Sequence, residues 1–484
     1  MTEQDAETTL AAGPILFARG ADDSVCRMAV VVVTRAGAPA PLVAVEDGVA
    51  GGPQCLARLF DHAVWRVDLR FPVRSTAHYV VNGRRFDVAT DLRGDLAIAF
   101  VSCNGQENGD EARTHEDRDV MWRRLEAEHA RRPFALLLHG GDQLYADEAI
   151  QSHPEVARWE ELENDEKPSV AWTGEMEEAV RSYFFRRYLD LLRQPAAAHL
   201  FARVPSLMIW DDHDIFDGWG SHPPGLQDSA VALGLFAAAR EMFLLFQLGA
   251  AEGHLPDTCA DPTGRSFTQG AHFPGLTVLL PDLRSERRPD RVMGERGWAG
   301  FERLLGEAPD GARRIVVSSV PALGPRLSLV EALLDFYPRP QQYEDDLRDQ
   351  WQSRAHRPEW RRFLAALESE AVDRASPVTV ISGEIHLATR GTMDLRGGAV
   401  LHQLVASGIT HPKPPRAMAI GLGLLSRLGE SPLKGRRIRL RALPGQGAVY
   451  TADRNYLVME RRAGAWHAAW ELEEHGRTPA LALD

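Results

Sequence analysis

Three segments of this sequence share one layout, in which an apolar run suited to a buried strand is followed at once by acidic residues and histidine. They are residues 136–147 (LLLHGGDQLYAD), 207–214 (LMIWDDHD) and 378–386 (VTVISGEIH). In open α/β folds, ligands gather at the carboxyl ends of the strands. Carboxylate and imidazole groups are ligands of iron, manganese, zinc and calcium. The layout therefore predicts an α/β fold that carries a metal site, and the chemistry of a metal-dependent hydrolase.

Length, charge and cysteine content restrict the classes of protein that fit. The 484 residues exceed the about 250–300 at which single cores stop growing, so we expect two domains or one elaborated domain. The net charge of −13 argues against a stable nucleic-acid partner, which would need a basic surface. The four scattered cysteines form no disulfide framework pattern. Neither a signal peptide nor a membrane span is predicted, and we expect a cytoplasmic protein.

The chain is expected to divide into three parts. Residues 1–12 are predicted to be a flexible N-terminus, and residues 13–93 a small all-β domain similar to immunoglobulin or fibronectin sandwiches. Apolar and polar residues alternate in residues 63–70 and 77–82, as is typical of strands with one buried face. We expect this domain to have a structural or substrate-shaping role. Residues 94–484 are predicted to form the catalytic domain.

In the catalytic domain, segments with strand and helix patterns alternate. The spacing of apolar residues predicts helices over residues 119–132, 176–192 and 230–247. Buried strands are predicted at residues 96–101, 276–280, 314–319 and 378–381. The later runs predict a second sheet that ends in a hairpin; they are residues 401–405, 436–443, 456–460 and 466–472. Two facing sheets with helices outside are therefore expected.

Taken alone, the first two segments differ in how strongly they indicate a metal site. Two glycines precede Asp142 and allow the backbone to approach a ligand closely, although a strand-end aspartate is more often a cap or a turn residue. Tyr145 strengthens the interpretation, because a phenolate can bind ferric iron. In residues 211–214, three acids surround His213 and would repel one another, so a cation or an arginine must neutralise them.

The third segment and one cysteine are weaker signals by themselves. Glu384 and His386 lie on the same face of an extended segment, where a buried core histidine is the commoner explanation. Together with the other two segments they are interpreted as metal ligands. Cys103 follows the predicted strand 96–101. A free cysteine is most often simply buried, and the residues alone leave its role open.

Four motifs resemble those of the PhoD-type (alkaline phosphatase D) metallophosphoesterases. They are VSCN at residues 101–104, GDQLYAD at 141–147, WDDHD at 210–214 and SGEIH at 382–386, with further support from residues 280–284, 349–351 and 405–410. The resemblance covers about residues 96–412. It implies a calcineurin-like αββα two-sheet sandwich, often preceded by a small β-sandwich. It also implies hydrolysis of phosphate monoesters or diesters, as a phosphomonoesterase or phosphodiesterase.

The resemblance implies a ligand set for a multi-metal site that contains ferric iron (Fe3+) and divalent cations. By position, the ligands are expected to be Cys103, Asp142, Tyr145, Asp212, Asp217, Asp282, Glu384 and His386. Asp142 is expected to bridge two metals, while the thiolate of Cys103 and the phenolate of Tyr145 bind iron. The divalent cation is expected to be calcium, with manganese or zinc as alternatives. A metal-bound hydroxide would attack the phosphorus atom.

Three further residues are assigned catalytic roles by the same resemblance. His213 is expected to protonate the leaving group, with Asp214 or Asp211 orienting its ring, and Arg284 is expected to contact the phosphate. The sequence departs from the family at Glu384, where aspartate is usual, and at residues 217–218, which are Asp-Gly where some members have Asn-Asn. Both departures concern the second metal.

The expected partner is a small-molecule phosphate ester. Two alternatives to a simple phosphatase stay open at this point. One is a phospholipase-type phosphodiesterase that acts on a larger substrate, and the other is a metal-binding scaffold without catalytic activity. The sequence does not predict the oligomeric state.

Overall fold

The computed structural model describes residues 10–105, 113–325 and 350–483, which form 23 strands in three sheets and ten α-helices. The strands are β1 (Leu10–Ala21), β2 (Val25–Arg35), β3 (Val43–Val45), β4 (Val49–Ala50), β5 (Gln54–Leu59), β6 (His62–Pro72), β7 (Ala77–Val81), β8 (Arg84–Val88), β9 (Leu96–Val101), β10 (Leu136–Gly140), β11 (Ser206–Ile209), β12 (Gln269–Phe273), β13 (Leu276–Leu280), β14 (Arg313–Ser318), β15 (Val378–Ser382), β16 (Thr389–Asp394), β17 (Val400–Val405), β18 (Glu430–Leu433), β19 (Arg436–Arg441), β20 (Asn455–Arg462), β21 (Ala465–Leu472), β22 (Gly476–Arg477) and β23 (Leu481–Ala482). The helices are α1 (His115–Arg118), α2 (Val120–Arg131), α3 (Pro154–Glu161), α4 (Gly174–Arg193), α5 (Pro195–Phe201), α6 (Pro224–Gln227), α7 (Ala230–Phe246), α8 (Glu295–Glu307), α9 (Arg357–Asp373) and α10 (Arg416–Ser426).

The first sheet has twelve strands, in the order β22-β21-β20-β9-β10-β11-β1-β2-β6-β4, with β23 beside β21 and β5 beside β6. Its centre is parallel: Leu138 of β10 faces Phe100 of β9 on one side and Leu207 of β11 on the other. Every residue of these three strands is buried. Such continuous apolar runs are typical of parallel strands that are covered on both faces.

The second sheet has eight strands, in the order β12-β13-β14-β15-β17-β16-β19-β18, and β13, β14, β15 and β17 run parallel. Successive residues of β14 point to opposite faces. Ile315 and Val317 belong to the core that also holds Phe100 and Leu138, whereas Val316 packs into a second core with α8 and α9. The two sheets therefore face each other, which confirms the predicted mixed α/β fold.

The N-terminal region requires a correction. Residues 13–93 are mainly strands, as predicted, but β1, β2, β4, β5 and β6 extend the first sheet. They do so because Phe17 of β1 pairs in parallel with Ser206 of β11. A separate three-stranded sheet contains β3, β7 and β8. Residues 10–12 of the predicted flexible terminus lie in β1, and residues 1–9 lie outside the described residues.

The predicted C-terminal hairpin also belongs to the first sheet. The strands β20 and β21 pair as expected, but β20 lies antiparallel to β9, with Val458 opposite Ala99. The predictions for α2, α4 and α7 are confirmed to within two residues at each end. The other seven helices of the described residues, α10 among them, were not predicted. None of the helices in the described ranges combines the length and apolar character needed to cross a membrane.

Candidate metal centre

The predicted site residues follow the carboxyl ends of strands from both sheets. Cys103 follows β9, Asp142 follows β10, and residues 211–214 follow β11 in the first sheet; residues 384–386 follow β15 in the second. Close packing between the two sheets requires Gly383, where an added Cβ atom would lie 1.8 Å from the Oγ atom of Ser102. The strand ends therefore meet at one edge of the sandwich.

The backbone is strained at four predicted ligands. Nine non-glycine residues of the described chain have a positive φ, and four of them are Cys103 (53°), Asp142 (52°), Glu384 (68°) and His386 (52°). Residues other than glycine seldom adopt this backbone conformation, and it persists only where the surrounding structure stabilises it. Here the Cys103 amide donates a 3.2 Å hydrogen bond to the Gly141 carbonyl. Such outliers cluster at functional sites, and the clustering agrees with the predicted site.

Four of the predicted ligands converge in the buried interior of the site. The Oδ2 atom of Asp142 lies 3.4 Å from Cys103 Sγ and 3.5 Å from the Tyr145 hydroxyl. That hydroxyl is 3.5 Å from Nε2 of His386. The two 3.5 Å separations exceed those of well-formed hydrogen bonds. The thiol, carboxylate, phenol and imidazole groups therefore form a buried chain of contacts, each 3.4–3.5 Å from the next.

Two atoms of this group are buried without a hydrogen-bond partner among the described residues: Oδ1 of Asp142 and Nδ1 of His386. Burial raises the pKa of Asp142 well above its usual range. Burial, followed by the neighbouring rings of His411 and His213, lowers the pKa of His386 well below its ordinary value. Unpartnered buried polar atoms cost free energy. A cation bound at the Oδ1 atom of Asp142 would satisfy that atom, so the residues present fit a metal ion.

Cys103 is the sulfur donor of the group and is fully buried. Burial, reinforced by the charge of Asp142, raises the pKa of its thiol well above the ordinary value. The hydroxyl of Ser407 donates a 3.1 Å hydrogen bond to Sγ, and the Ser102 hydroxyl lies at the same distance. The sulfur is thus held in a polar environment, and a cation beside it would favour the thiolate form.

A second set of oxygen and nitrogen donors adjoins the first. Asp142, Asp211 and Asp212 each offer an oxygen within 4.8 Å of the other two. Asp212 also forms such a group with His213 and Asp217. Asp142 and Asp212 belong to the predicted bridge and second-metal ligands, and the structure brings them together. Asp217 is exposed and lies at the outer edge of this set.

Glu384 completes the wall of a cavity of about 190 Å³. Its Oε1 atom accepts a 2.7 Å hydrogen bond from the side-chain amide of Gln350. Asp142, Asp212, His213 and His386 line the same cavity. The apolar residues that line this cavity include Pro321, Leu323, Pro325, Ile385, Val405, Met418 and Leu422. Polar donors at one end and apolar side chains around them are typical of small-molecule sites.

Arg284 occupies a different position from the predicted phosphate contact. Its side chain is completely buried and forms ion pairs with Asp211 and Asp212, the latter at 3.2 Å. It also donates a 3.1 Å hydrogen bond to the carbonyl of Trp219. Because the guanidinium is held by these groups, its role is corrected to neutralising the aspartates of residues 211–214.

Asp282 is not brought into the metal centre. Its Oδ1 atom accepts hydrogen bonds of 3.0 Å from Trp210 Nε1 and from the amides of Arg284 and Ser285. Its Oδ2 atom accepts a 2.7 Å bond from the amide of Phe267. Both oxygens are therefore engaged in holding the chain after β13. The predicted ligand role of Asp282 is corrected to a structural one.

His213 faces the cavity and is oriented by Asp147, a residue that sequence reasoning missed. Its Nδ1 atom lies 2.9 Å from Oδ2 of Asp147, and its ring stacks on Tyr145 with centroids 4.3 Å apart. Burial alone would lower the pKa of His213, but the charges of Asp147 and Asp212 outweigh burial and hold it well above the ordinary value. The sequence did offer a sign of this role, because Asp147 is the last residue of the motif at residues 141–147.

Asp214 does not orient His213, contrary to the prediction. It accepts hydrogen bonds from the amides of Leu144 at 3.1 Å and Asp211 at 2.9 Å, and from the side chain of Gln247 at 2.9 Å. Burial raises the pKa of Asp214 to about 7. Its observed contacts connect the loop after β10 to the loop after β11, which is a structural role.

His411 is a second residue that sequence reasoning missed. Its ring stacks on His386, with centroids 3.6 Å apart and planes at 10°, and on Tyr145 at 5.2 Å. It follows β17, an apolar strand whose carboxyl end lies beside that of β15. A histidine therefore follows a fourth strand of the site, six residues after the strand ends and with no acidic residue between. Because His411 is farther from its strand than the other site histidines, the pattern did not predict it.

Comparison with known proteins identifies related sequences and folds. The family described as PhoD related phosphatase matches residues 85–339, more than half of the 484 residues. The uncharacterized protein YGR266W of Saccharomyces cerevisiae is 23% identical over 467 residues, covering 76% of this chain and 66% of the yeast protein. The chain thus spans slightly less than two thirds of that relative's length.

Two solved structures share the fold. The structure of PhoD is 13% identical and has a TM-score of 0.60, with 98% of this chain and 89% of that chain covered. The purple acid phosphatase PPD1 from seeds of yellow lupin (Lupinus luteus) is 12% identical and has a TM-score of 0.52, with coverage of 97% and 73%. At these identities the similarity shows a common fold.

Proposed function

The chain belongs to the PhoD-related phosphatase family, and on that premise we propose that it hydrolyses phosphate esters at the cavity beside Asp142, using bound metal ions. The observation that carries the proposal is the buried convergence of Cys103, Asp142, Tyr145 and His386. In that group, the Oδ1 atom of Asp142 has no hydrogen-bond partner among the described residues. The proposed substrate is a small phosphate ester.

The donor atoms suggest two kinds of metal position. Cys103, Tyr145 and His386 would hold one ion together with Asp142. The thiolate of Cys103 and the phenolate of Tyr145 are both anionic, which would favour a trivalent ion such as ferric iron. Carboxylates of Asp142, Asp212, Asp217 and Glu384 would hold a second ion, for which calcium or manganese is suited because the donors are oxygens. Asp142 belongs to both sets, and its location between them supports a bridging role.

Metal ions in such a site supply Lewis acidity toward the phosphoryl group and activate water. The residues of the chain perform the remaining steps. His213 donates a proton to the leaving oxygen, because its ring lines the cavity and its Nδ1 atom is held by Asp147. Stacking on Tyr145 fixes the plane of that ring. Arg284 lowers the repulsion between Asp211 and Asp212, so that both remain close together.

The proposal is tested by metal removal. Purified protein is assayed with an aryl phosphate monoester and a bis-aryl diester, before and after treatment with a chelator, and its metals are measured by elemental analysis. We expect chelation to lower kcat/KM by at least about a thousandfold, and iron with calcium to restore it. Undiminished activity in the metal-free protein would contradict the proposal. The same holds if metal-loaded protein cleaves neither ester.

The assignment of iron is tested by colour. A tyrosinate bound to ferric iron absorbs visible light, so the iron-loaded protein should be coloured and Tyr145→Phe should lose the tyrosinate band. Tyr450→Phe is the matched control, because Tyr450 is buried and lines the same cavity. We expect the control to keep the absorption band. An absorption spectrum that is unchanged in Tyr145→Phe, with iron still bound, refutes the assignment.

A further inference from the structure

Helix α10 presents an apolar surface to solvent. Nine large hydrophobic side chains are strongly exposed in the described parts of the chain, and four of them lie within residues 418–428. Their exposed fractions are 47% for Met418, 64% for Ile420, 56% for Leu424 and 55% for Leu428. Isolated exposed side chains need no explanation, but a contiguous apolar patch marks a surface that binds something.

The geometry of this surface is that of an interfacial helix. Ile420 and Leu424 are four residues apart and lie on the same face, and Leu428 continues the row just beyond the helix end. Eleven residues make a helix of about 16 Å, roughly half the thickness of a bilayer's hydrocarbon core. Such a helix can lie in the plane of an interface but is too short to cross it.

The same region is basic in a chain that is acidic overall. Residues 411–441 contain eight lysines and arginines and one acidic residue, Glu430, whereas the whole chain carries a net charge of −13. Glu430 is buried and paired at 2.8 Å with Arg357, which lies outside the segment. Carboxylates of Glu368, Asp394 and Glu474 pair with some of these cations.

Four of the cations form no ion pair with a carboxylate in the described chain, and all four are exposed: Arg427, Lys434, Arg437 and Arg441. Arg427 directly precedes Leu428. The guanidinium of Arg437 lies beside Gly429, where an added Cβ atom would be 3.3 Å from Nε. Positive charge therefore borders the apolar row at its C-terminal end.

An apolar row bordered by positive charge favours one kind of binding partner. A twofold contact between two copies would place the basic groups of one α10 surface against those of the other, which is unfavourable. An anionic bilayer complements both features, because it accepts apolar side chains at the acyl boundary and cations at the headgroups. We propose that α10 and the hairpin β18–β19 bind the surface of anionic phospholipid membranes.

The membrane surface would adjoin the candidate active site. Met418 and Leu422 of α10 line the cavity that also contains Asp142 and His213. Docking through Ile420 and Leu424 would therefore hold that cavity close to the headgroups. The inference stands on the exposed residues and charges alone, so it does not depend on the proposed function.

Vesicle co-sedimentation of the full chain tests this inference. We expect binding to vesicles of equal parts phosphatidylserine and phosphatidylcholine, little binding to phosphatidylcholine alone, and release at high salt. The double variant Ile420→Ser/Leu424→Ser should lower the bound fraction at least about tenfold. Leu42→Ser/Val49→Ser is the matched control, because Leu42 (72% exposed) and Val49 (61% exposed) are apolar and lie elsewhere.

The charge component has its own variant. Arg427→Gln/Arg437→Gln should weaken binding to the anionic vesicles and reduce its dependence on salt. Circular dichroism and gel filtration show whether each variant is folded. Neither pair of substituted residues lines the cavity. The inference is overturned if the unaltered chain does not bind anionic vesicles, or if the control variant loses as much binding. It is also overturned if Ile420→Ser/Leu424→Ser converts a dimer to a monomer.

Discussion

Two buried aspartates that follow strands in this molecule, Asp142 and Asp282, differ in how their oxygens are satisfied. In the metal centre, Asp142 has one oxygen without a hydrogen-bond partner among the described residues, and its other oxygen has two contacts of 3.4 and 3.5 Å. In the neighbouring network, Asp282 accepts four hydrogen bonds of 2.7–3.0 Å, and Arg284 pairs with Asp211.

The difference separates a structural carboxylate from a candidate ligand. A buried carboxylate with both oxygens bonded to amides stabilises the fold and has little capacity left for a cation. A buried carboxylate with an unpartnered oxygen costs free energy until a cation binds. The backbone agrees, because Asp142 has a positive φ of 52°, whereas Asp211 has an ordinary extended φ of −131°. Strain is concentrated on the side of the metal centre.

The largest contrast is expected between Asp142→Asn and Asp282→Asn. Asp142→Asn removes a proposed bridging ligand, and kcat/KM should fall at least about a thousandfold. The free energy of unfolding of the metal-free protein should stay within about 1 kcal/mol, because Oδ1 has no hydrogen bond to lose. Asp282→Asn places an amide donor against backbone donors, so stability should fall by about 2–3 kcal/mol while the bound metal is retained.

Urea unfolding and aryl phosphate hydrolysis, measured on both variants, decide this contrast. The comparison fails if Asp282→Asn binds less metal than Asp142→Asn. It also fails if Asp142→Asn destabilises the metal-free protein by as much as Asp282→Asn.

A second prediction concerns the cation of the structural network. Arg284→Leu leaves the charges of Asp211 and Asp212 buried without their partner, and stability should fall by about 3–5 kcal/mol. The matched control is Arg288→Leu, whose 2.7 Å pair with Asp228 is more exposed, and it should cost no more than about 1 kcal/mol. Urea unfolding measures both. Equal losses would show that Arg284 does not neutralise the aspartates.

The smallest predicted effect tests the positioning of His213. Asp147→Asn keeps a polar side chain but removes the charge beside Nδ1, and kcat should fall about 10–100-fold with little change in KM. The loss should be larger for esters with basic leaving groups, because these depend most on protonation. Kinetics on a series of aryl phosphates provide the measurement. A loss that is the same across the series would assign Asp147 a purely structural role.

The strand-end layout predicted much of the candidate site because it is a local property of the chain. An apolar run followed by Asp142 and Tyr145, or by Glu384 and His386, determines where polar side chains leave a sheet. The resemblance to a known family added Cys103, whose role the residues alone left open. Three of the helices, α2, α4 and α7, were predictable for the same reason, since each carries its own apolar period.

Contacts between distant parts of the chain could not be predicted from local patterns. Asp282 was predicted to be a ligand, but its oxygens accept hydrogen bonds from the amide of Phe267 and the indole of Trp210. Trp210 is 72 positions away in the sequence. Arg284 reaches Asp211 across 73 positions. Asp147 and His411 joined the site only through such packing.

By itself, the sequence determined that strands would deliver carboxylate, imidazole and phenol groups at their carboxyl ends, because side-chain direction follows from local backbone geometry. The tertiary structure decided which carboxylates are already satisfied and which remain open to a cation. It also decided that β1 and β20 join the first sheet. The physical reason is that hydrogen-bond satisfaction and strand pairing depend on partners far away in the chain, which a local pattern does not encode.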